Sequence, residues 1–214
     1  MTAKSDAWLA DSPLAASTWR ARSLAAAEGP TVPSGSAELD ACLPGRGWPL
    51  GTLTEILLPR HGVGELSLLL PALRRLVLAD SDSPRWLTWI GAPHELHAPA
   101  LVQAGLPLAR LLLVRVAGQR ERLWAAEQAL SSPSCAAVLV WLESADDRTL
   151  RRLKLAAAAG RGLGIVFRPE RVRGESSPAP LRLLLEPSAD GPVLEILKRR
   201  GGGGERLRGV LNTP

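Results

Sequence analysis

Apolar residues along this chain follow two periods in turn. Near-continuous apolar runs of strand length cover Thr52–Leu58, Arg85–Ile90, Leu111–Val116, Ala136–Leu142 and Gly164–Arg168. Strands buried on both faces of a parallel sheet read this way. Between them the spacing becomes helical. Leu66, Leu69, Leu70, Leu73, Leu76 and Val77 share one face, with Arg74 and Arg75 on the other, and Pro71 is expected to kink that helix or loosen its first turns. A short helix is predicted over Pro99–Gln103, stopped by Gly105. Glu121–Leu130 is predicted to turn Leu123, Trp124, Ala126 and Leu130 inward, and Arg148–Ala159 forms a further helix ended by Gly160. This alternation predicts an α/β fold, a mostly parallel twisted sheet with helices on both faces.

After residue 170 the pattern changes. Arg171–Pro180 reads as a polar, mobile loop. Leu181–Glu186 and Val193–Arg199, joined by a turn at Pro187–Pro192, predict a C-terminal β-hairpin. Gly201–Gly204 leads into a flexible basic tail, residues 201–214. Ahead of the core, Ser36–Leu43 is a short helix capped by Ser34 or Ser36. Ala7–Glu28 holds one or two helices anchored by Trp8, Leu14 and Trp19. Docking on its own core and docking on a partner both remain open for that segment. The expected division is an N-terminal helical segment (1–30), a core domain (31–200) and the tail.

Composition narrows the class of protein. Of 214 residues, 46% are hydrophobic, enough for one well-buried domain. Two cysteines, Cys42 and Cys135, are too few for a disulfide framework, so a reducing, cytoplasmic setting is expected. No signal-peptide pattern opens the chain, and no apolar run approaches the ~18 residues of a membrane span. Net charge is +5, and the surplus lies in residues 145–214, which carry 14 Lys/Arg against 8 Asp/Glu. Such a region suits nucleic-acid phosphates, and equally suits a solvated arginine-rich face.

The strongest candidate for chemistry is the stretch after Leu58, where a phosphate-binding loop would stand between strand and helix. That loop needs Gly-x-x-x-x-Gly-Lys-Ser/Thr: amides to cradle phosphate, a lysine to neutralise it, a hydroxyl for magnesium. Here Gly62 and Gly64 remain, but Glu65 stands at the lysine position and Leu66 at the hydroxyl position. The amides around the glycines could still take an anion; glycine there also serves the turn itself. His94-Glu95-Leu96-His97 is one residue short of the zinc-binding spacing, so no metal site is assigned. No cofactor is expected.

Several ordered matches carry a family resemblance: Val32-Pro33-Ser34-Gly35-Ser36 with Leu39-Asp40, Leu53-Thr54-Glu55-Ile56, Ala126-Glu127-Gln128-Ala129-Leu130, and Leu194-Glu195-Ile196-Leu197-Lys198-Arg199-Arg200. Together they resemble the RecA core and, more closely, the ImuA family of translesion-synthesis accessory proteins, related to RecA and to the SOS division inhibitor SulA. The resemblance implies a RecA-like core. Carried over residue by residue, it places the water-activating glutamate on Pro93 and the strand-end aspartate on Trp141. With Glu65 and Leu66, every chemically required position is replaced, which implies a pseudo-ATPase rather than an enzyme. Glu143, two residues past Trp141, is the remaining acidic candidate.

The resemblance also implies partners: an ImuB-like inactive Y-family polymerase homologue, through it an error-prone replicative-type polymerase, and RecA as a further contact. DNA or partner contact is expected at Arg168, Arg171 and Arg173 beside the polar loop, and at Lys198, Arg199 and Arg200 after the hairpin. With Phe167 the only aromatic nearby, that DNA contact is expected to be weak. The alternatives are a SulA-like division inhibitor and a divergent NTPase.

Overall fold

A computed structural model describes residues 29–79 and 84–210. The proposed N-terminal helices lie outside the described residues. A small antiparallel pair, β1 (Thr31–Val32) and β2 (Trp48–Pro49), flanks the short helix α1 (Ala37–Cys42). Ser36 caps α1, its hydroxyl accepting the Leu39 N–H at 3.3 Å. The rest is built on eight strands: β3 (Thr52–Leu58), β4 (Trp86–Ile90), β5 (Leu111–Val114), β6 (Cys135–Trp141), β7 (Leu163–Pro169), β8 (Leu181–Glu186), β9 (Val193–Lys198) and β10 (Arg206–Arg208). They lie in the order β10-β9-β8-β3-β7-β6-β4-β5. From β5 through β8 every pairing is parallel; β9 and β10 are antiparallel additions. The mixed α/β class and the C-terminal hairpin are as the sequence predicts.

Four helices follow: α2 (Glu65–Leu78), α3 (Ala98–Gln103), α4 (Gln119–Ser131) and α5 (Asp147–Gly160). Strand alternation sends Ile56 and Leu58 into one core layer, with Leu69 and Leu73 of α2. Leu53 goes the other way, into a layer with Ala126 and Leu130 of α4 and Leu150 and Leu153 of α5. Gly160 lets α5 end against α4, because a Cβ there would lie 2.1 Å from the Leu130 carbonyl oxygen.

Several expectations are corrected. The helix α2 runs unbroken through Pro71. A mid-helix proline costs about 3 kcal/mol; burying leucines such as Leu69 and Leu73, each 0% exposed, returns about 1.5–3 kcal/mol apiece. Trp124 faces out, 65% exposed, because Ala126 and Leu130 four residues apart define the buried stripe of α4 and Trp124, two residues from Ala126, falls on the far side of the helix. The loop 171–180 is tied down: Arg182 donates to the carbonyls of Val172 and Glu175, and Lys198 and Lys154 donate to those of Ser177 and Pro178. The tail is not a free linker throughout, since Arg206–Arg208 pairs with β9. No described helix is long and apolar enough to cross a membrane.

Candidate functional site

The loop between β3 and α2 sits at the carboxyl end of the central strand. Gly62 (φ 79°) and Gly64 (φ 103°) adopt the left-handed conformation that lets the chain turn directly into α2. Glu65, the first helical residue, is 5% exposed, and its carboxylate folds back over the loop. One oxygen accepts the Gly62 N–H and the other the Val63 N–H, each at 2.9 Å. A carboxylate suits a helix N-terminus, where amide hydrogens converge. Those two amides are therefore already occupied by an internal anion, and a phosphate arriving there would meet a negative charge. Leu66 packs on the core instead of offering a hydroxyl.

The end of β6 is closed in the same way. Trp141, 4% exposed, stacks on Phe167 with ring centroids 4.7 Å apart and meets Trp89 edge-on at 6.4 Å. Its carbonyl accepts from Arg122 at 3.1 Å. Glu143, beyond the strand, is an exposed surface carboxylate. It accepts from Arg171 at 3.3 Å and lies 3.8 Å from His61 Nε2. A cavity of about 770 Å³ opens between this strand end, the Gly91–Leu96 segment and the end of β5, and Pro93 lines it. His61 and His94 meet edge-on at 6.2 Å, and no cluster of three or more His, Cys, Asp or Glu among the described residues could hold a metal. These residues do not fit a magnesium-bound triphosphate.

The six basic residues do not form one surface. Arg168 is 2% exposed and unavailable to DNA. Its guanidinium donates to Glu55 at 2.7 Å, to the Ala145 carbonyl and to Glu175. Arg171 is exposed, paired with Glu143 beyond the carboxyl ends of β6 and β7, and Arg173 pairs with Glu195 at 2.5 Å. Lys198, Arg199 and Arg200 instead border a hollow with Pro49, Leu50 and Thr52, at the amino end of β3. There Arg199 also donates to the Cys42 carbonyl and to Glu205.

A buried triad accounts for Arg168 and was missed in the sequence. Glu55 (1% exposed) lies beside Arg182 on β8 and receives its Nε–H at 2.6 Å, while Arg168 on β7 holds the other oxygen. A register shift between Arg182 and Leu183 marks the same point in the β8–β9 ladder. Two signals were available: a glutamate inside Thr52–Leu58 and an arginine inside Leu181–Glu186, both otherwise apolar strands.

Comparison with known proteins places this sequence in a family. The family model described as cell division inhibitor SulA matches residues 51–164. Protein ImuA of Caulobacter vibrioides is 30% identical, over 76% of this chain and 72% of that protein. The chain belongs to the SulA-related ImuA family. Among its SulA relatives, the cell division inhibitor of Edwardsiella piscicida is 37% identical over 49% of this chain and 61% of that protein. The crystal structure of SulA from Pseudomonas aeruginosa is 31% identical, covering 54% of this chain and 97% of that one at a TM-score of 0.44.

Proposed function

We propose that this ImuA-family chain is a non-catalytic, RecA-like accessory protein of SOS-induced translesion DNA synthesis. It acts through contacts with an ImuB-like inactive Y-family polymerase homologue, through that protein with an error-prone replicative-type polymerase, and with RecA. The observation that carries the pseudo-ATPase part is the Glu65 carboxylate, which takes the loop amides of Gly62 and Val63. Trp141, stacked on Phe167 where the strand-end acid would stand, supports it. The RecA-like reading draws support from the sheet order, with the loop-bearing strand β3 central between β7 and β8. A fold whose nucleotide chemistry has been removed serves through its surfaces.

Co-purification of the chain with an ImuB-like protein tests the partner. Association at micromolar concentration is expected, and its absence overturns that assignment. Titration calorimetry with ATP and magnesium is expected to show no binding; measurable binding would overturn the pseudo-ATPase reading. A second reading, a SulA-like division inhibitor, is favoured by the family match over residues 51–164. Division arrest on overproduction with no change in mutation rate selects it over the first.

A further inference from the structure

The outer strands of the eight-stranded sheet differ in how they meet solvent. On β10, Arg206 and Arg208 are exposed and pair with Glu186, Glu195 and Asp190, a charged edge that discourages further pairing. The opposite edge, β5, is Leu-Leu-Leu-Val and carries no charge within the strand. Leu112 is 47% exposed and Leu113 38%, on opposite faces: the register sets Leu112 beside Thr88 and Leu113 beside Trp89. The Val114 carbonyl accepts the Gly91 N–H at 3.0 Å, so the Val114 backbone faces β4. By alternation, the Leu113 N–H and C=O point to the open side.

Charge surrounds this apolar edge. Arg85 precedes β4 and Arg110 precedes β5, and neither has an acidic partner among the described residues. Arg115 follows β5 and, among the described residues, pairs only with Glu95, both of them well exposed. A second copy docking antiparallel about a two-fold through Leu113 would set Arg115 of one chain against Leu111 of the other and Arg110 against Val116, offering no carboxylate to either arginine.

We propose that β5 accepts an extended segment of a partner protein as an added outer strand, apolar at its centre and acidic at its flanks. Main-chain bonds at Leu113 hold the segment, and Arg110 and Arg115 select its ends. The proposal stands on the sheet edge and does not depend on the translesion assignment.

The test uses the full chain and two dye-labelled peptides with one Val-Leu-Val-Leu centre, flanked by glutamates or by lysines. Fluorescence anisotropy is expected to show the acidic peptide binding about tenfold more tightly, with the preference shrinking as salt rises. Amide hydrogen exchange at Leu113 should slow in the complex. Leu113→Pro removes the outward N–H at an edge position, where proline is tolerated, and is expected to lower affinity about tenfold, the worth of ~1.4 kcal/mol. Leu112→Lys does the same through a charge on the edge and decides the matter if the proline variant fails to fold. Equal binding of the two peptides, no binding of either, or unchanged exchange at Leu113 in the complex overturns the proposal. So does a concentration-dependent dimer, seen by sedimentation, that already protects Leu113 without peptide.

Discussion

Replacing Glu65 by alanine separates an internal anion from an incidental contact. Its carboxylate holds two backbone amides at 2.9 Å. Hydrogen bonds to a charged group contribute about 1.5–3 kcal/mol each. The two amides differ after truncation: Gly62 is exposed and regains water, whereas Val63 is 6% exposed and its amide does not readily do so. Most of the loss therefore belongs to Val63, and the expected cost is about 2–3 kcal/mol. For a domain of this size that lowers Tm by about 4–12 °C in a thermal melt. Glu65→Gln keeps one acceptor but turns an NH2 group toward the other amide, so it should fall between alanine and the parent.

The same variant makes a second demand. With the carboxylate gone, the two amides are open to a small anion at the start of α2. Sulfate at about ten times its dissociation constant would stabilise Glu65→Ala by ~1.4 kcal/mol, while the parent, its amides filled, gains only the general salt effect. A melt of Glu65→Ala within about 1 °C of the parent, where a charged hydrogen bond should show, would refute the stapling argument. Equal sulfate shifts in both proteins would refute the occupancy argument even if stability falls.

Four further outcomes follow from the packing. Arg182→Ala leaves Glu55 short of a partner and frees the carbonyls of Val172 and Glu175; a loss of about 3–5 kcal/mol in urea titration is expected, with faster proteolysis between residues 171 and 180. Trp141→Asp restores an acid at the strand end but sets it against Phe167 and Trp89, so calorimetry should show no magnesium-nucleotide binding and circular dichroism a lower Tm. Gly160→Ala should destabilise by about 1–3 kcal/mol despite alanine's better helix propensity, since its methyl meets the Leu130 carbonyl. The Asp146 carboxyl is held below its usual value by hydrogen bonds from Thr149, helped by nearby Arg148. The stability it gives α5 is thus present above the ordinary carboxylate range and is lost as pH falls through its lowered value. Asp146→Ala should accordingly melt lower than the parent near neutrality and converge with it in strong acid.

Much of the architecture was legible because apolar periodicity reports burial directly. Ala136–Leu142 has the near-continuous apolar character of a strand covered on both faces, and β6 is one. Charges were harder to read. Arg168 looks like any arginine closing a strand, and only the placing of β7 and β8 on either side of β3 turns it toward Glu55. That adjacency is a long-range fact that no local window contains. Trp124 misled for a different reason: grouped with Leu123, Ala126 and Leu130 as inward-facing, it lies off the α4 stripe that runs through Ala126 and Leu130. At the loop, the sequence puts Glu65 at the lysine position, but its return to the amides of Gly62 and Val63 depends on backbone geometry that residue types do not encode.

The Glu55 triad also bears on how the chain is made. Glu55 is separated from Arg168 by 113 residues and from Arg182 by 127. A ribosome delivers the carboxylate long before either guanidinium, and the central strand cannot be enclosed with an unpaired charge at its middle. Final closure of the sheet is thereby deferred until β7 and β8 have left the exit tunnel. A nascent chain stopped after α5 holds a central strand whose charge still needs water, so the apolar residues around it stay uncovered and open to chaperones and proteases.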